Sequence, residues 1–106
     1  MFETLIQKLQ EDRFLTLETT PQHEPSMHNI IERIKKFKLQ DRVDGFSCTD
    51  NPLAKLKYNA LFASLKLQME FKKPVIATMS MRDRNKIALQ SDLMGANDFD
   101  VRAILA

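Results

Sequence analysis

The sequence predicts an α/β domain built on a parallel sheet of four strands, and three observations predict it. Four short runs rich in apolar and β-branched residues recur along the chain. Segments with helical periodicity separate them, giving a repeat of about 30 residues. A length of 106 residues supports one modest core and no second domain. Strands alternating with helices at this interval pair in parallel through right-handed crossovers.

A short leading helix is expected over residues 2–11, followed by the first strand in "RFLTLE", residues 13–18. Over 25–38, Met27, Ile30, Ile31, Ile34 and Phe37 follow the spacing of one buried helical stripe, with Lys and Arg on the other side. The second strand is "RVDGFSCT", 42–49. In "TDNPL", Asp50 or Asn51 suits an N-cap and Pro52 the first turn, so a helix is expected from there to about Phe71, with Leu53, Leu56, Leu61, Leu65 and Met69 among its apolar positions. "PVIATMS", 74–80, is the third strand. The last helix is expected from Arg84 to Met94, capped by Asp83 and stopped by Gly95, before the fourth strand, "VRAILA", 101–106.

Composition narrows the function classes. With 43% hydrophobic and 28% charged residues, the chain reads as an ordinary soluble protein. No apolar run approaches the roughly 18 residues a membrane span needs, and "MFETLIQKLQEDR" carries acids and glutamines where a signal peptide needs an apolar core. A cytoplasmic location without membrane contact is expected. The lone Cys48 forms no internal disulfide, fits a reducing compartment and is expected to face the core. A net charge of +2 does not argue for nucleic acid as a partner, and "RIKKFK" and "EFKKP" read as solvated helix faces and ends. His23 and His28 lack a second pair of ligands, so no metal is expected.

Two parallel architectures fit this order, a small open doubly wound sheet and the opening half of a (β/α)8 barrel. No glycine-rich phosphate loop follows the first strand, and neither Gly45 nor Gly95 belongs to a dinucleotide fingerprint. A four-stranded half barrel leaves two edges and an inner face uncovered. A homo-oligomer or a complementing half-barrel chain is therefore an expected partner, and a non-catalytic assembly module is the alternative to an enzyme.

In either architecture ligands bind at the carboxyl ends of the strands. The residues there are Glu18, Thr19 and Thr20, then Thr49 and Asp50, then Ser80, Arg82 and Asp83, with Met79 and Met81 flanking the rim. Thr49, Asp50 and Asp83 are also explained as turn and cap residues, and Ser80 as a strand terminus. Glu18 is less easily explained so, because glutamate favours neither strands nor turns.

The strand ends "LETTP" and "SCTDNP", the run "SMRDRN", and "RDRNKIALQSDLMGANDFDVRAILA" carry a resemblance. Over about residues 14–106 the chain resembles the N-terminal part of methylenetetrahydrofolate reductase, a flavin-dependent (β/α)8-barrel family. The resemblance implies the first half of that barrel, a single partial domain over 1–106 ending at strand four. It implies FAD as cofactor, methylenetetrahydrofolate as substrate, and NADH, NADPH or a partner electron carrier as reductant. In the full-length context it implies Glu18 as the catalytic acid that helps open the folate ring, and Thr49 and Ser80 as flavin-contacting residues, with this N-terminal fragment expected to be inactive alone. A histidine common in the family's third strand aligns with Thr78. An acid working near neutral pH would need its pKa raised from about 4.3 by burial beside flavin and apolar side chains.

Overall fold

The computed structural model describes residues 1–106. The four apolar runs form one sheet in the order β1 (Thr16–Thr19), β2 (Gly45–Cys48), β3 (Val75–Thr78) and β4 (Ala103–Leu105), every pair parallel. The helices are α1 (Phe2–Glu11), α2 (His28–Lys36), α3 (Ala60–Phe71) and α4 (Lys86–Asp98). The predicted α/β class and parallel order are both present, in an arrangement compatible with half of a (β/α)8 barrel.

Register and alternation give the sheet two unlike faces. Phe46 pairs with Val75 and Cys48 with Ala77, and all four are buried. They form one core with Met27 beside α2, Ile31 and Ile34 of α2, Ala60, Ala63 and Leu67 of α3, and Ala96 of α4. Small residues on α3 let it lie close against β2 and β3, and Phe46 stacks on Phe71 at 5.2 Å between ring centroids. Full burial of a side chain such as Phe46 contributes about 2–3 kcal/mol. The opposite face carries the row Glu18, Ser47, Ile76 and Ala103, and no member of it is buried.

The N-terminal end of the sheet is covered by α1. Its terminal amine and the Phe2 amide both donate to Asp100, just ahead of β4, at 2.9 and 3.2 Å. Lys8 pairs with Asp44, just ahead of β2, and Leu5 is buried beneath. At the carboxyl end the loops that follow β1 and β2 meet, the Tyr58 amide donating to the Gln22 carbonyl at 2.8 Å.

Several expected boundaries are corrected. The helix expected from "TDNPL" begins ten residues after Asp50, at Ala60, where Asn59 accepts from the Phe62 amide at 3.0 Å. Pro52–Ala54 make only a short turn, with Leu53 and Ala54 in left-handed conformation (φ 59° and 58°). Leu53 and Leu56 are accordingly exposed, at 87% and 69%. Asp50 is unavailable as a cap because its carboxylate binds groups from the next βα unit. In α4 the cap is Asn85, which accepts from the Ala88 amide at 2.8 Å, while Asp83 is held by Arg82. That helix runs through Gly95 to Asp98, and the chain reverses at Asp100 (φ 62°), with the Val101 amide bonded to the Ala96 carbonyl at 2.8 Å. Aspartate tolerates the left-handed region well enough to take the glycine's expected role. The stripe on α2 keeps Met27, Ile31 and Ile34 buried, but Phe37 lies beyond the helix and is exposed.

Candidate functional site

Because the strands are parallel, their carboxyl ends all fall on one rim, opposite α1. Glu18 sits in edge strand β1, paired with Ser47, and is exposed. Thr19 pairs with Cys48 and Cys48 with Ala77, so one residue further along lie Thr20, Thr49 and Thr78, with Thr78 paired to Leu105. The Thr49 amide donates to the Thr19 carbonyl at 3.1 Å, which carries the pairing past the end of β2. Strand alternation sets this threonine row on the same face as Glu18, one step nearer the rim. The Thr49 hydroxyl oxygen is buried and has no hydrogen-bond partner in the protein.

Asp50 and Arg84 lock the rim between β2 and β3. The Asp50 side chain is 1% exposed and that of Arg84 11%. They form a direct ion pair, with a second contact at 3.4 Å from Arg84 Nη2 to Asp50 Oδ1. Asp50 Oδ2 also accepts from the Ser80 amide at 2.7 Å, and Arg84 Nη1 donates to the Ser80 carbonyl at 3.0 Å. Both backbone groups of Ser80 are thereby held by one charge pair. Arg84 Nε reaches Asp92 at 3.2 Å. Hydrogen bonding to Asp50 raises the pKa of Arg84 above its ordinary value, so the guanidinium stays charged. The Ser80 hydroxyl oxygen accepts from the Arg82 amide at 3.2 Å and keeps its own proton free to donate. Arg82 ties the two rim loops by donating to the Asn51 carbonyl at 3.1 Å, and its bond to Asp83 holds that carboxyl below its usual range.

The structure thus brings Thr49, Asp50 and Ser80 together at adjacent strand ends, and sets Glu18 on the neighbouring edge strand. Met79, expected at the rim, is 1% exposed and packs in the core, whereas Met81 is exposed. Cys48 faces the core as expected, and burial pushes its thiol up to about 11. His23 and His28 are exposed, and no group of three or more His, Cys, Asp or Glu side chains is placed to hold a metal ion. No helix is long and apolar enough to cross a membrane. Sequence reasoning missed the pairing of Asp50 with Arg84. The available signal was an acid after one strand and a base after the next, at the same end of adjacent parallel strands.

Compared with family models, curated proteins and solved structures, the chain matches none.

Proposed function

We propose that the chain supplies the first half of a flavin-dependent (β/α)8 reductase that converts methylenetetrahydrofolate to methyltetrahydrofolate. The observation that carries this reading is the gathering of Glu18, Thr49 and Ser80 at the carboxyl end of one parallel sheet, on strands whose ends read "LETTP", "SCTDNP" and "SMRDRN".

The residues present fit a planar redox cofactor. The buried Thr49 oxygen lacks a partner, and Ser80 has a proton to give. Ile76 and Ala103 offer a low apolar surface below the threonine row. Thr49 and Ser80 would hold FAD, with Thr78 beside them. Bound FAD supplies the hydride for the folate's methylene carbon, and NADH, NADPH or a partner electron carrier restores it.

The protein's own part is positional and acid–base. Glu18 presents its carboxyl to the folate on the open face and gives a proton to the ring nitrogen as the five-membered ring opens. Glu18 is exposed in the four-stranded sheet, so the ligand and the strands that cover this face supply the burial its role requires. In the completed barrel, Glu18→Gln lowers folate reduction by about 10²–10⁴-fold, the range of general acid catalysis, and leaves FAD binding and FAD recharging intact. Survival of folate turnover would remove Glu18 from the reaction.

A second reading is favoured by the unpaired edges of β1 and β4 and by the exposed Ile87 and Met94 of α4 and Leu105 of β4. On that reading the chain is a non-catalytic module closed by another copy or a complementing half barrel. A colourless dimer in light scattering supports it, and a yellow, FAD-retaining protein supports the reductase.

A further inference from the structure

The geometry points to Asp50 and Arg84 as positioning residues that set the Thr49 and Ser80 hydroxyls for the flavin. This inference rests on the reductase reading. Neither side chain is open enough to meet a ligand broadly, since Asp50 is 1% and Arg84 11% exposed. Their bonds instead converge on one peptide. Asp50 accepts from the Ser80 N–H at 2.7 Å, and Arg84 donates to the Ser80 carbonyl at 3.0 Å.

Asp50 directly follows Thr49, so the carboxylate that holds β3 in place also fixes the residue next to the unpartnered Thr49 hydroxyl. Arg82 adds a second tie from the β3 side to the Asn51 carbonyl. A buried ion pair is a weak source of net stability, because desolvation offsets much of the attraction. What this pair provides is a fixed distance between two strand ends. The guanidinium fork suits the task, because it bonds a carboxylate and a carbonyl in one plane, which an ammonium group cannot reproduce. Asp92 fills the remaining side of the fork, so the clamp is anchored to α4 as well.

The test uses the full 106-residue chain with Asp50→Asn, Arg84→Lys and Arg84→Met. Asp50→Asn keeps the shape and an acceptor for the Ser80 amide but removes the charge that holds Arg84. Amide hydrogen exchange is read at Ser80 and, as a reference for global opening, at Phe46, whose amide bonds to the Pro74 carbonyl at 3.1 Å far from the rim. FAD titration followed by visible absorbance and circular dichroism reads the site itself. Asp50→Asn is expected to speed Ser80 exchange at least ~10-fold relative to Phe46, weaken FAD binding at least ~10-fold, and return the bound flavin's spectrum toward that of free flavin. Arg84→Lys should fall between wild type and Arg84→Met. Ser80 exchange that merely follows Phe46 overturns the positioning role, as does FAD binding by folded variants with wild-type affinity and spectrum. A wild-type chain that fails to bind FAD overturns the flavin reading instead, and the exchange ratio then decides on its own whether the pair positions the rim.

Discussion

The two glycines of this chain should respond to the same substitution with opposite signs. At Gly45, the first residue of β2, an added Cβ would lie 2.2 Å from the Pro74 carbonyl oxygen and 2.5 Å from Phe14 Cζ. The Phe14 ring can swing aside. The carbonyl cannot, because it is backbone at the entry to β3 and accepts from the Phe46 amide. Gly45→Ala must therefore push β2 and β3 apart by about 1 Å to reach ordinary contact, an overpacking cost of roughly 1–3 kcal/mol. Losing the Phe46 bond adds about 1 kcal/mol, for a total near 3 kcal/mol. At Gly95, inside α4, a Cβ meets nothing within 4 Å and the backbone is already helical, so Gly95→Ala stabilises by about 0.5–1 kcal/mol. Urea denaturation reads both. With a slope of about 1–1.5 kcal/mol/M for a chain of this size, the Gly45 variant should lose about 2–3 M in midpoint and the Gly95 variant gain about 0.5 M. Midpoints shifted equally, or a Gly45→Ala shift under about 0.5 M, would refute the register that brings β2 against the start of β3.

Two further predictions concern the thiol and the helix starts. Cys48 keeps its proton in the folded state up to about 11, whereas an unfolded thiol ionises near 9.0. Below pH 9 both states hold the proton and this group adds no pH dependence; above it only the unfolded state gains by ionising, so stability falls by at most about 3 kcal/mol toward pH 11. Urea midpoints across that window should show a decline that Cys48→Ala removes. Asn59→Ala and Asn85→Ala should each cost about 1 kcal/mol, while Asp83→Ala should stay within about 0.5 kcal/mol, because Asp83 is exposed and caps no helix; the same urea titrations decide.

The alternation of apolar runs with helical stripes made the parallel order readable, because each run is short, β-branched and separated by enough chain for a crossover. The leading helix over 2–11 and the end of α3 at Phe71 were readable for similar local reasons. The start of α3 was not. "TDNP" satisfies every local requirement of a helix start, yet Asp50 is claimed by Arg84, 34 residues further on. Asp83 is held by its neighbour Arg82, which leaves Asn85 as the cap, and α4 runs on through Gly95 because the chain reverses at Asp100 instead. At the site, the end-of-strand positions of Glu18, Thr49 and Ser80 followed from counting along each run. Their partners did not, because they depend on which loops the fold places side by side. Met79 shows the limit of counting: one step of alternation separates the rim from the core, and its side chain packs inward with Ala77 and Val75.

Under the reductase proposal a flavin would rest on the carboxyl rim of the sheet. This placement is tested most directly by following backbone amide resonances of the protein as FAD is added. Shifts are expected only at Glu18–Thr20, Thr49–Asn51 and Thr78–Arg82, with Asp44, Asp100 and α1 silent at the opposite end. Shifts gathered on the helical face or at the α1 end, or none at millimolar FAD, would contradict it.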